Sequence, residues 1–186
     1  MKKIILALAL ISSTVGIYSF TTKAGGDKYT ANTTTSKVDF TGSKKDGYHT
    51  GNFALKSGEV TVEAGKLTGG KFVIDLSSLK VTDGAGEKLE GHLKSPDFFD
   101  LGKNSEASFS ISNVKYVTEN KVDIDGILTL KGVTAPIKFT AVVRDASEKF
   151  FAEASFSLDR TAFGLGYGAP KIASDVQINV HLFATK

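Results

Sequence analysis

From Lys37 onward the chain alternates apolar and polar residues with a period of two. Val38 and Phe40 flank Asp39, Phe53 and Leu55 follow, and Val60 and Val62 sit among Glu59, Thr61 and Glu63. Phe72, Ile74 and Leu76 continue the pattern, as do Phe109 and Ile111 among serines. Val122, Ile124, Leu128 and Leu130 share one face. So do Ile137, Phe139, Ala141 and Val143, then Ala152, Ala154, Phe156 and Leu158, and last Val176, Ile178, Val180 and Leu182. Successive side chains of a strand point to opposite faces, so each run predicts a half-buried strand. They make about nine candidate strands, preceded by a short early one over Lys28–Ala31. Turn signals fall at Lys45-Asp46-Gly47, Lys56-Ser57-Gly58, Ala64-Gly65-Lys66, Asp125-Gly126 and Lys131-Gly132. Gly86–Lys94 breaks the period: Leu89 and Leu93 lie four apart among charged residues, which predicts a short amphipathic helix near residues 86–94. Ser95-Pro96-Asp97 then predicts an N-cap with Pro at the first helical position, opening a brief turn that projects Phe98 and Phe99. Many short antiparallel strands with one helix predict an all-β closed barrel, because closure removes exposed edges.

The chain has 186 residues, 41% of them hydrophobic, and no cysteine. That predicts one globular domain, over residues 25–186, and excludes disulfides, thiolate metal sites, Cys nucleophiles and a lipidated N-terminal Cys. Met1-Lys2-Lys3, the apolar run Ile4–Ile11 and the small residues through Thr22-Lys23-Ala24 predict a secretory signal peptide over 1–24. Cleavage after Ala24 would remove three of the 23 basic residues and leave 20 against 20 acidic ones, a net charge of zero. A nucleic-acid partner then loses its basic footprint. The competing reading of residues 1–20 is a membrane anchor, but the apolar run is shorter than the roughly 18 to 20 residues a spanning helix needs. After cleavage no transmembrane span is expected. The expected location is periplasmic or secreted.

Thirteen Phe and no Trp are present, twelve of the Phe beyond the leader and many on the predicted inward faces. An eight-stranded barrel can be filled by side chains or hold one slender ligand, and composition leaves both open. The helix and Phe98-Phe99 add apolar surface at one rim and favour a ligand. His49, His92 and His181 stand far apart in no metal-ligand spacing, and no G-x-S-x-G elbow occurs. Asp123-Ile124-Asp125-Gly126 lacks the later ligands of a calcium loop. Gly164-Leu165-Gly166-Tyr167-Gly168 has no helix behind it to bind a phosphate and is expected to be a flexible hairpin loop. Asn32-Thr33-Thr34 fits the glycosylation triplet, a pattern common by chance in Thr-rich stretches.

Five stretches in order carry a resemblance over roughly residues 28–184. They are Ser36–Phe40 with His49–Phe53 and Ser57–Val60; Asp75–Leu79 with His92–Asp100; Ala107-Ser108-Phe109; Gly126–Ile137; and Arg160–Gly164. Together they resemble the YceI-like family of lipocalin-like polyisoprenoid-binding proteins. The resemblance implies an extended antiparallel eight-stranded barrel whose apolar channel holds a polyisoprenoid, isoprenoid quinone or similar long-chain lipid, with no enzymatic activity and no cofactor besides that lipid. It places Phe53, Phe98, Phe99, Phe109 and Phe163 on positions that could face the channel. The inward faces and the helix add Phe40, Phe72, Ile74, Leu89, Leu93, Ile111, Leu128, Leu130, Phe139 and Phe156. His49 and Arg160 match polar positions and are expected at the mouth or behind the lining. Tyr29 stands where the family often has Trp, which puts the depth of one channel end in question. A homodimer is compatible with this reading. The alternatives are a lipid-acting enzyme, such as an esterase or isomerase, and a structural or adhesion barrel with a filled core.

Overall fold

A computed structural model describes residues 25–186; the leader expected over 1–24 lies outside the described residues. The elements run β1 (Asp27–Ala31), β2 (Lys37–Lys44), β3 (Gly47–Glu63), β4 (Lys66–Val81), α1 (Gly86–Lys94), β5 (Glu106–Tyr116), β6 (Lys121–Leu130), β7 (Val133–Ala146), β8 (Lys149–Asp159) and β9 (Ile172–Thr185). A one-turn 3₁₀ helix, Arg160–Phe163, links β8 to the last connection. All pairings are antiparallel. The order β3-β2-β9-β8-β7-β6-β5-β4 closes through β3–β4, giving an eight-stranded barrel. β1 also lies between β3 and β9, pairing Asp27–Thr30 with Glu59–Val62 and Thr30–Ala31 with Ala184–Thr185. β1 and β2 therefore share one barrel position, one at each end.

Two predicted turns are interior to strands. Ser57-Gly58 lies within the 17-residue β3, where the register shifts between Leu55 and Ser57, and Gly126 lies within β6. Neither glycine turns the chain; each makes room for a ring. A Cβ on Gly58 would meet Phe72 Cδ1 at 2.6 Å, and one on Gly126 would strike the Phe109 ring. Ser95 caps the brief turn as expected, its Oγ accepting from Asp97 N–H at 3.3 Å, although no second helix follows. Ser95 ends α1, its N–H donating to His92 O at 3.1 Å, and the turn beyond it is held by Phe98 N–H and Asp100 N–H donating back to Ser95 O. The stretch 164–168 is no free hairpin loop: Gly164, at φ 71°, caps the 3₁₀ helix, and Leu165 is buried.

The buried side chains form two clusters rather than one. A lower one gathers Tyr29, Val60, Val62, Leu67, Val122 and Phe150, where β1 fills the wall. Tyr29 is 1% exposed and its hydroxyl donates to Asp145 Oδ1 at 2.9 Å and lies 2.8 Å from Ser147 O, so this position belongs to the lower cluster. An upper cluster gathers Phe53, Leu76, Leu79, Phe98, Leu128 and Phe163 under α1 and the turn after it. α1 is tied down by Glu90, which accepts from Val81 N–H at 3.0 Å, and its approach by Asp83, which accepts from Ala85 N–H at 2.9 Å.

Candidate functional site

Between the two clusters lies an apolar cavity of about 320 Å³. Its wall explains the burial pattern of the strands. Phe40, Phe72, Phe99, Phe109, Phe139 and Phe156 face inward yet stay only half-buried, because they border empty space. A filled barrel would bury them as the two clusters bury Val122 and Leu79.

The rings form two continuous surfaces. Phe72 stacks on Phe109 with centroids 6.3 Å apart, Phe109 meets Phe139 at 5.6 Å, and Phe139 stacks on Phe156 at 4.4 Å and 10°. On the other side Phe40 tilts against Phe53 at 5.4 Å, and Phe53 meets Phe99 edge-on at 5.5 Å. Strand pairing sets the first series, since Phe72 lies directly opposite Phe109 and Phe109 opposite Leu128. Glycines admit the rings: a Cβ on Gly51 would collide with Phe40, as those on Gly58 and Gly126 would with Phe72 and Phe109.

Of the side chains nominated from sequence, Phe40, Phe53, Phe72, Ile74, Phe109 and Ile111 line the cavity, as do Leu128, Leu130, Phe139 and Phe156. Leu89 and Leu93 reach it from α1, and Phe98 and Phe99 from the turn that follows. Phe163 does not: it is 1% exposed and packed into the upper cluster, because the 3₁₀ turn carries it away from the inward face of β8. Residues not nominated also contribute, among them Ile172, Val176, Ile178 and Val180 of β9 and Leu165. Val176, Ile178 and Val180 carry the same period-two signal as the others.

Polar groups enter the wall at few places. Ser43, Lys44 and His49 border the cavity at the β2–β3 hairpin. His49 Nδ1 lies 3.0 Å from Asp83 Oδ2, which also accepts from Thr50 N–H at 3.0 Å. Asp83 is held below the usual carboxylate range by main-chain N–H groups, Ala85 first, so it orients the imidazole as an anion. Arg160 is 5% exposed and also borders the cavity. Its guanidinium gathers three main-chain carbonyls, that of Leu165 in the connection to β9 and those of Ile172 and Ala173 at the start of β9. His92 stands apart from both, edge-on to Phe98 at 5.1 Å and to Tyr167 at 4.8 Å, pinning this connection against α1. Among the described residues no three His, Asp or Glu side chains converge as metal ligands.

A YceI-like domain profile matches residues 29–184. A UPF0312 protein of Pseudomonas putida strain W619 is 31% identical over 137 residues, covering 70% of this chain and 71% of its own. A UPF0312 protein of Vibrio parahaemolyticus is 37% identical over 93 residues, 49% of this chain and 48% of its own. Among solved structures, Burkholderia cenocepacia BcnA superposes with a TM-score of 0.73 at 24% identity, over 83% of this chain and 99% of that one. The Campylobacter jejuni YceI protein does so with a TM-score of 0.62 at 19% identity, over 73% and 84%.

Proposed function

The chain belongs to the YceI-like family, and from that premise we propose that it binds a long, slender apolar molecule, such as a polyisoprenoid or isoprenoid quinone, inside the barrel, and carries or stores it without chemical change. The observation that carries this reading is the set of inward phenylalanines that border empty space instead of one another's surfaces. Burial of apolar carbon contributes about 0.8 kcal/mol per methylene. Twenty methylenes therefore give about 16 kcal/mol, which leaves micromolar binding without a polar contact after about 8 kcal/mol of association costs. Phenylalanine rings suit such a guest because they offer flat, rigid surface and ask for no hydrogen bond.

The polar outward faces of the strands, such as Lys121, Asp123 and Thr129 on β6, suit a barrel surrounded by water rather than lipid, since a membrane barrel is apolar outside. Among the described residues no helix is long and apolar enough to cross a membrane. Export to the periplasm or medium follows from the leader pattern, and N-terminal sequencing of protein from its host should find Gly25 or a near neighbour first. Native mass spectrometry after gentle extraction tests the binding reading. A co-purified apolar adduct that organic solvent removes is expected. A protein that emerges empty and takes up no added isoprenoid refutes it.

A further inference from the structure

We infer that an apolar guest enters and leaves the barrel sideways, between β7 and β8, with the stacked rings of Phe139 and Phe156 as the gate; this rests on reading the cavity as a ligand site. The two strands are neighbours in the closed sheet but pair only from Ala141↔Ala154 down to Ala146↔Lys149. Above that register β7 runs back to Val133 with β6 as its partner, and β8 runs on to Asp159 with β9 as its partner.

Side-chain bonds follow the same division. On β7 the Thr134 and Thr129 hydroxyls lie 2.9 Å apart, Lys138 Nζ lies 2.9 Å from Asp125 Oδ1, and Thr140 donates to Asp123 Oδ1 at 2.8 Å, all with β6. On β8 the Ser155 hydroxyl donates to Asn179 Oδ1 at 2.7 Å and accepts from Gln177 Nε2 at 2.9 Å, both on β9. Lower down, Arg144 and Glu153 bridge β7 and β8 at 3.0 Å. Above Ala141 and Ala154, among the described residues, no side-chain hydrogen bond or ion pair crosses from one strand to the other.

Apolar contact closes this stretch instead. Phe139 and Phe156 stack across it with centroids 4.4 Å apart and planes at 10°, and both border the cavity. The 3₁₀ turn Arg160–Phe163 roofs it, packing on β7 and β9. That roof is fastened: Phe163 is buried, Arg160 holds the carbonyls of Leu165, Ile172 and Ala173, and Lys131 Nζ of the β6–β7 hairpin reaches Gly164 O at 3.5 Å. The passage therefore lies between the turn and the Ala141–Ala154 pair.

Parting two fully paired strands breaks ladder hydrogen bonds and leaves N–H and C=O groups unsatisfied. Parting Phe139 from Phe156 exchanges one apolar contact for another, because the guest's chain takes the place of the displaced ring. β4 and β5 also pair over a short stretch, Lys71–Asp75 with Glu106–Ser110. Their lower end faces the lower cluster and is closed by Leu67 N–H donating to the Tyr116 hydroxyl at 2.7 Å, while α1 packs on β4 above. The competing route is the rim at the β2–β3 hairpin, where Ser43, Lys44 and His49 border the cavity.

Stopped-flow fluorescence on the delipidated protein tests this with diphenylhexatriene, a slender apolar fluorophore. The chain has no cysteine, so an introduced pair can be tied selectively. Lys138 and Ser157 are exposed beside the stacked rings. Lys138→Cys/Ser157→Cys joined by a propane bis-methanethiosulfonate linker should slow uptake and release together by about tenfold or more, with Kd unchanged within about twofold. Dithiothreitol, which cuts the linker, should restore both rates. Ala146→Cys/Lys149→Cys, tied where the strands already pair, should alter neither. Thr50→Cys/Thr82→Cys, at hydroxyls 2.9 Å apart, ties β3 to the approach of α1 and tests the rim. Phe139→Leu breaks the stack without a linker and should quicken uptake and release, whereas loss of a plain wall contact quickens release alone. Unchanged rates in the tied Lys138/Ser157 variant overturn the inference, as does slowing by the Thr50/Thr82 tie alone, which gives entry to the rim. Should the tied variants not form or not fold, Phe139→Leu decides, and unaltered uptake overturns the gate. If the wild type takes up no diphenylhexatriene, the cavity reading fails and takes the inference with it.

Discussion

Gly126→Ala perturbs the cavity wall with a single methyl group. Gly126 is buried in β6, opposite Ile111 on one side and Ile137 on the other. A Cβ there would strike the edge of the Phe109 ring and come within 2.9 Å of Ser110 O. The ring has little freedom to yield along the wall, since Phe72 and Phe139 hold it from both sides at 6.3 Å and 5.6 Å. Overpacking of this kind costs about 1 to 3 kcal/mol. For a domain of this size that lowers the unfolding midpoint by roughly 2 to 12 °C. Urea unfolding followed by far-ultraviolet circular dichroism measures the cost, and Phe109→Leu supplies the second arm of a double-mutant cycle. With the ring gone only the Ser110 carbonyl obstructs the new methyl group, so Gly126→Ala should cost at most half as much in the Phe109→Leu background. The reasoning is refuted if Gly126→Ala lies within about 0.5 kcal/mol of the wild type, or if its cost is the same in both backgrounds.

Three further outcomes are expected. Phe53→Asp and Phe99→Asp place a carboxylate against the apolar wall and should abolish lipid occupancy, measured as lipid per mole of folded protein, while Lys71→Ala on the outer face of β4 should leave it unchanged; full occupancy in both folded Phe variants would end the internal-cavity reading. Leu79→Ala removes a side chain that is fully buried in the upper cluster and should cost about 2 to 5 kcal/mol in chemical denaturation, so a loss below about 1 kcal/mol would show that this cluster collapses around the gap. The carboxyls of Glu90 and Asp83 are lowered chiefly by the N–H groups of Val81 and Ala85, respectively. Their contribution is therefore full above the unfolded carboxyl range near about pH 4 and is lost as pH falls through the lower folded values. Thermal midpoints measured across that range should show a shallower acid limb for Glu90→Gln and Asp83→Asn, and an unchanged limb counts against the cause.

The alternation along the chain was enough to find the barrel strands and most of the wall, because inward residues of a closed sheet obey the same period whether they meet a core or a cavity. Leu89 and Leu93 were legible for the parallel reason on a helix. Glycine misled at Gly58 and Gly126, which look like turns; their role is set by rings on neighbouring strands, a relation that no local pattern carries. Phe163 was misplaced because the 3₁₀ turn interrupts the period just after Asp159. The partners of the two polar positions were beyond local reading too. Asp83 approaches His49 from the connection between β4 and α1, and the acceptors of Arg160 are main-chain oxygens of residues 165, 172 and 173, to which sequence chemistry is blind.

The shared position of β1 and β2 has a consequence for the order in which the molecule can be completed. Thr30 pairs with both Glu59 and Thr185, so β1 has its second neighbour only once Ala184 and Thr185 exist. On a ribosome, which makes the chain from its N-terminus, the lower end stays an unsealed sheet until Ala184 and Thr185 have emerged. Contacts so distant in sequence slow folding, and the unpaired edges they leave attract other strands. The barrel thus gains its lower end after its other staves, and a chain cut before Ala184 keeps most of them while forfeiting the joint between β1 and β9.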